Sequence, residues 1–130
     1  MSALSNFLEN ELIDHVLRAT AYTSPGTSIY VALFTDDPAE DASGTEVTGG
    51  SYAREQVTAW DAPVDGDTEN TSDIVFTTAT ASWGTVTHVA IFDAVSTGNM
   101  LFYGALTASR DVGNGVTFTI SAGDLDVTLA

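Results

Sequence analysis

The sequence predicts a mainly β protein, an antiparallel β-sandwich of Greek-key or jelly-roll type with one amphipathic helix at its N-terminus. One apolar segment with helical spacing comes first, and about seven short apolar or alternating segments follow it, separated by turn-forming residues. The length of 130 residues suits a single domain. We expect residues 1–22 to form its helical part and residues 28–130 its β-sandwich.

The helix is predicted over residues 4–20, where Ser5 or Asn6 can cap its start and Asp14 can pair with Arg18 one turn later. Its apolar residues cover more than half of the circumference of a helical wheel, so the helix is expected to pack against a sheet or a neighbouring subunit. The predicted oligomer or partner contacts are Leu4, Phe7, Leu8 and Leu12.

The strands are predicted from the period of the apolar residues after the Ser-Pro-Gly break at 24–26. Residues 29–34 are apolar on both faces, which is typical of a central strand covered on both sides. Segments 85–93 and 100–106 flank a turn containing Gly98 and Asn99, and this pattern predicts a hairpin. Weaker or shorter strand patterns occupy 52–60 and 74–78, and clean alternation surrounds the turn 121–123, in 116–120 and 125–129.

The charge is the most unusual feature of the composition. The chain has 18 acidic residues, three arginines and no lysine, giving a formal net charge of −15. Such a charge argues against nucleic acid and anionic membranes as partners, because phosphate groups are bound by clustered basic residues. It also destabilises a compact chain unless salt screens it. Lysine depletion with carboxylate enrichment therefore indicates a salt-loving host, or a virus of such a host.

The acidic residues are concentrated in two segments, since ten of the 18 lie within residues 36–46 and 61–73. Asp65, Asp67 and Glu69 alternate like the opening of a calcium-binding loop, but the later glycine and glutamate of that motif are missing. A looser cation site at these three residues is the alternative to solvated loops. We expect no resident metal and no cofactor.

Catalytic motifs do not emerge from the sequence. His15 and His88 have no partner at metal-ligand spacing, and each is interpreted as a hydrogen-bonded structural histidine. There is no cysteine, nucleophile elbow, P-loop or dinucleotide fingerprint. We therefore predict a protein that is not an enzyme. Tyr52 and Trp83 lie in the most distinctive aromatic strings and are candidates for surface recognition, with core packing as the alternative.

Several strings in this order resemble a family of small virion proteins of tailed viruses that are often labelled phage tail fiber proteins. They occupy residues 7–17, 30–38, 44–54, 81–94 and 98–106, so the resemblance covers nearly the whole chain. It implies a structural, non-enzymatic component of the virion, assembled in the host cytoplasm. The scarcity of basic residues departs from bacterial-virus relatives and suggests a tailed virus of a haloarchaeon.

From these features we predict a multi-copy virion surface protein, with head decoration or a turret as the first choice and host attachment as an added role. A tail, tail-fibre or baseplate component is the alternative, and a glycan-binding β-sandwich module using Tyr52 and Trp83 is a second. The expected partners are copies of the chain itself, as trimers or pentamers, other virion proteins, and a host surface glycoprotein.

Overall fold

The structure is a computed structural model that describes residues 3–129. Nine strands and one helix follow each other in the chain: β1 (Ala3–Leu4), α1 (Asn6–Leu17), β2 (Tyr30–Phe34), β3 (Glu55–Gln56), β4 (Asp67–Glu69), β5 (Ile74–Val75), β6 (Gly84–Phe92), β7 (Met100–Val112), β8 (Thr119–Ile120) and β9 (Asp126–Thr128). The predicted class, mainly β and antiparallel with one N-terminal helix, is confirmed.

The helix is shorter than predicted at both ends, running from Asn6 to Leu17 instead of over residues 4–20. Ser5 is the N-cap and is 1 % exposed; its hydroxyl accepts a hydrogen bond from the Leu8 amide at 3.1 Å and donates one to the carbonyl of Met100. At the other end, the amide of Arg18 donates to the carbonyl of Asp14, and Ala19 turns into the left-handed region with φ 56°. The predicted Asp14–Arg18 pair is present at 3.3 Å.

The main sheet has five antiparallel strands in the order β1–β7–β6–β2–β3. Strand β2 lies between β6 and β3, and Val31, Ala32, Leu33 and Phe34 are each at most 2 % exposed. The prediction of a central strand covered on both faces is therefore confirmed. Of the predicted strand over residues 52–60, the two residues of β3 pair in this sheet.

The two faces of this sheet carry separate apolar clusters. Val31, Leu33, Val89 and Ile91 point into the larger core, where residues of the smaller ladders and Trp83 join them. Ala32, Phe34, Ala90, Phe92 and Met100 form a smaller cluster on the other face, in which the rings of Phe34 and Phe92 stack at 6.3 Å. This division follows from the alternation of side chains along a strand.

The hairpin of β6 and β7 is confirmed, and β7 extends beyond the predicted end at residue 106 to Val112. The pairing skips residues along β7, because Val86 faces Arg110 whereas His88 faces Ala105. Residues 106–109 of β7 therefore stand against the single residue Thr87, an irregularity of the β-bulge kind that bends the long strand.

The last two strands pair differently from a simple hairpin around the turn at 121–123. Strand β8 pairs with β5, and β9 pairs with β4, so each forms a two-stranded ladder with an earlier part of the chain. Asn70 holds this turn: its amide group donates to the carbonyls of Ser72 and Ser121, and its side-chain oxygen accepts from the Leu125 amide at 2.9 Å. Asn70 is fully buried.

Candidate functional site

A buried ion pair lies under the turn of the β6–β7 hairpin. The guanidinium of Arg54, with a side chain 6 % exposed, donates through Nε and Nη2 to both carboxylate oxygens of Glu46, each at 2.8 Å. Its Nη1 donates to the carbonyls of Ala94 at 3.0 Å and Thr97 at 2.8 Å. The group also lies 3.7 Å from the centroid of the Phe92 ring. Arg54 thus fixes the hairpin turn to the segment around Glu46.

Tyr52 extends this network into the sheet. Its hydroxyl donates to Oε2 of Glu46 at 2.7 Å and accepts from the amide of Leu33 at 3.0 Å. The pKa of Tyr52 is raised, mainly because the phenol is buried and also because it donates a hydrogen bond to Glu46. The phenol is therefore neutral at physiological pH. Arg54, Glu46 and Tyr52 therefore use their polar atoms on one another and on the backbone, which is the arrangement of a structural clamp.

The hairpin turn itself is shaped by its own contacts. Both carboxylate oxygens of Asp93 accept from Asn99, one from the backbone amide at 2.7 Å and one from the side chain at 3.0 Å. Gly98 has φ 73°, and a Cβ there would lie 2.6 Å from the Cβ of Ala94. Val95, 55 % exposed, projects from the turn beside an open depression of about 530 Å³ next to Arg54. The clamp thus presents this turn in a fixed shape.

Of the two predicted recognition residues, Trp83 is buried and Tyr52 is half-buried. Trp83 is 4 % exposed, its Nε1 donates to the carbonyl of Gly50 at 2.9 Å, and its ring meets Tyr52 edge to face at 5.4 Å. Tyr52 is half-buried and packs against the larger core. The interpretation of Trp83 as a surface recognition residue is therefore wrong, because its indole fills the core and its N–H is already bonded.

The predicted helix contacts are used largely within the chain. Leu8 is 5 % exposed, and Leu4, Phe7 and Leu12 are half-buried. The exposed apolar residues of the helix are instead Ile13, Val16 and Leu17, at 55 %, 72 % and 77 %. Leu8 is thus a core contact of its own chain, and the exposed face lies nearer the C-terminal end of the helix than predicted.

A second apolar surface lies on the other side of the sheet. It is a groove of about 290 Å³ whose walls are mostly carbon, lined among others by Ile29, Trp60, Ile91, Phe102, Val127 and Leu129. Leu129 is 52 % exposed at its mouth. We call this the Trp60 groove. Sequence reasoning missed it because its walls come from strands far apart in the chain.

The acidic residues Asp65, Asp67 and Glu69 do not form a metal centre. Within residues 3–129, no group of three or more His, Cys, Asp or Glu side chains is close enough to hold a metal ion. Asp67 instead hydrogen bonds with Asp126 on the neighbouring strand, which lowers the pKa of Asp67 and raises that of Asp126. Oδ1 of Asp126 is buried without a hydrogen-bond partner in the described part of the chain.

Both histidines make the local hydrogen bonds predicted for structural residues. Nδ1 of His15 accepts from the amide of Tyr22 at 3.2 Å, and Nδ1 of His88 lies 2.8 Å from the hydroxyl of Thr87.

No helix within residues 3–129 is long and apolar enough to cross a membrane.

The described residues thus form a small antiparallel β fold with a buried clamp and exposed apolar surfaces. The class of protein is given by comparison with known families. The family model described as "Podophage GP4 fiber I protein gp80" matches residues 3–128, and the chain belongs to this family. No curated protein matches the chain.

Membership in this family makes the chain a structural, virion-associated protein of the phage-fibre type. The predicted resemblance to tail-fibre proteins is confirmed at that level. The family supports the tail-fibre alternative, and it gives no support to head decoration or a turret, which was the first choice from the sequence.

Proposed function

We propose that this chain is a component of the tail fibre of a tailed virus. The observation that carries the proposal is the match of a phage fibre family to residues 3–128, nearly the whole chain. The structure supports it with the clamp of Arg54, Glu46 and Tyr52, which presents a fixed turn, and with apolar surfaces suited to neighbouring virion proteins. This proposal replaces head decoration as the preferred location.

Purified particles provide the test. Mass spectrometry should find the chain in the virion, and electron microscopy with Fab fragments raised against the recombinant protein should place the label at the tail. Fab fragments pre-adsorbed with the same protein are the matched control. Label spread evenly over the head would overturn the proposal, and so would absence of the chain from intact particles.

A glycan-binding module is no longer favoured, because the indole of Trp83 is enclosed and offers no stacking face. We keep the haloarchaeal host as a proposal, supported by the net charge of −15 without lysine. The salt dependence of the wild-type Tm tests this proposal.

A further inference from the structure

The helix carries an exposed apolar strip that no other part of its own chain covers within residues 3–129. Val16 and Leu17 follow Ile13 by three and four residues, so all three lie on one side of α1, and each is more than half exposed. We call these three residues the helix ridge. Three large aliphatic side chains side by side at this exposure are typical of an interaction surface.

The helix ridge and the Trp60 groove belong to opposite sides of the main sheet. Ile91 and Phe102, in the groove wall, belong to or pack on the larger core. The helix is on the side of the smaller cluster, since the amide of Asn6 donates to the carbonyl of Glu40 at 3.0 Å, in the segment whose Ala42 packs against that cluster. The ridge of one copy therefore does not fill its own groove, whereas the ridge of a second copy can.

Each of the two surfaces has a charged side chain beside it, Arg18 next to the ridge and Asp67 in the groove wall, and their charges are opposite. Arg18 follows the ridge directly and its side chain is 72 % exposed, held by one contact of 3.3 Å to Asp14. The other two arginines are engaged elsewhere, Arg54 in the clamp and Arg110 on the carbonyl of Thr119 and over the Phe118 ring. The groove wall includes Asp67, whose side chain is exposed. A guanidinium from a second copy can pair with this carboxylate.

We propose that the chain self-associates head to tail, with the helix ridge of one copy seated in the Trp60 groove of the next and Arg18 beside Asp67. Such a contact joins two different surfaces, so it generates a closed ring when the rotation closes and a filament when it does not. The proposal is independent of the position of the protein on the particle.

The strength of this contact is expected to depend on the salt concentration. Two copies at −15 repel each other at low ionic strength, while burial of the ridge is independent of charge. At about 1 M salt the Debye length is about 3 Å, which screens the repulsion and leaves the apolar contact. We therefore expect self-association to be stronger in 1 M NaCl than in 0.1 M.

The experiment is sedimentation velocity of the full chain in 1 M NaCl over a wide concentration range. Leu17→Gln in the ridge and Leu129→Gln in the groove should each weaken association about tenfold or more, since each removes one buried leucine from the contact. Val95→Gln is the matched control, an exposed aliphatic residue at 55 % in the hairpin turn, and it should leave association unchanged. Circular dichroism checks that all three variants are folded.

Mixing separates this geometry from other ways of pairing. A mixture of the Leu17→Gln and Leu129→Gln variants retains one intact ridge and one intact groove, so it should form a one-to-one dimer that neither variant forms alone. In the absence of native cysteines, Leu17→Cys and Leu129→Cys copies should also be joined by a bismaleimide cross-linker. A wild-type protein that is monomeric throughout, or association lost in the ridge variant but kept in the groove variant, would overturn the proposal.

Discussion

Removal of Arg54 is the sharpest test of the clamp. In an Arg54→Met variant the Glu46 carboxylate loses both of its 2.8 Å contacts from the guanidinium, and the carbonyls of Ala94 and Thr97 lose their donors. Breaking a buried ion pair on one side costs about 3–5 kcal/mol of unfolding free energy. The side chain of Glu46 is 24 % exposed, and water can reach it, so we expect the lower end, about 3 kcal/mol.

For a chain of this size that loss corresponds to a fall in Tm of about 10 °C. Thermal and urea unfolding followed by circular dichroism measure it, and the two methods should agree. Arg18→Met is the matched control, because it makes the same change in net charge at a side chain 72 % exposed. This control should shift the unfolding free energy by less than about 0.5 kcal/mol.

A second variant isolates the charge. The double variant Arg54→Met with Glu46→Gln removes both charges, and it should recover part of the lost stability, because no ion is left unpaired near the core. Hydrogen exchange at the Asn99 amide should accelerate in Arg54→Met, since the turn loses two tethers from Nη1. If Arg54→Met unfolds within 2 °C of Arg18→Met, the clamp is not the stabilising element described above.

Four further predictions concern charge and packing. Asp126→Asn should raise the unfolding free energy at pH 7 but not at pH 3. The pKa of Asp126 is raised by its neighbour Asp67, so ionisation of Asp126 costs stability as the pH rises. Urea titrations at the two pH values measure this difference. Wild-type Tm should increase by about 5 °C or more between 0.1 M and 2 M NaCl, measured by scanning calorimetry, because salt screens the self-repulsion. Trp83→Ala should cost about 3–5 kcal/mol in urea unfolding because the indole is buried. Asn70→Ala should cost about 2–4 kcal/mol by the same assay, since three backbone groups lose their partner, while exposed Asn114→Ala should change little.

Each of these predictions has an opposing result. Equal effects of Asp126→Asn at both pH values would mean that the two carboxyl groups do not interact. A Tm indifferent to salt would contradict the proposed saline host. A Trp83→Ala variant as stable as the wild type would place the indole outside the core, and an Asn70→Ala cost no greater than that of Asn114→Ala would show that the turn is held by other contacts.

Local patterns were predicted well because neighbouring residues determine them. The helix, its Ser5 cap, the central strand β2 and the β6–β7 hairpin all depend on periodicity, caps and turns that are visible within about 20 residues. The pairing of β8 and β9 could not be read in this way, because Asn70, about 50 residues earlier in the chain, holds the turn between them. A lone asparagine in an acidic segment gives no sign of such a role.

The residues predicted to lie on the surface show a second limit of prediction from sequence, since burial depends on contacts between distant segments. Trp83 stands between Ser82 and Gly84, a context typical of an exposed turn. Its indole nevertheless lies in the larger core, and its N–H donates to the carbonyl of Gly50, 33 positions earlier in the chain. The broad apolar arc of the helix indicated contacts but not which part faces the chain's own sheet. That division depends on the anchoring of Ser5 to β7, a contact between residues 95 positions apart.

The position of β1 at the edge of the sheet also constrains the order of folding. Ala3 and Leu4 pair with Tyr103 and Phe102, so the first strand of the chain has no partner until the hairpin near the other end exists. The β6–β7 hairpin is local and can form early, whereas closing a loop of about 100 residues onto it carries the larger entropic cost. The N-terminal strand and the start of α1 are therefore expected to dock last. A copy that has not completed its hairpin does not yet hold its helix in place, so folding of each chain precedes any assembly that uses the ridge.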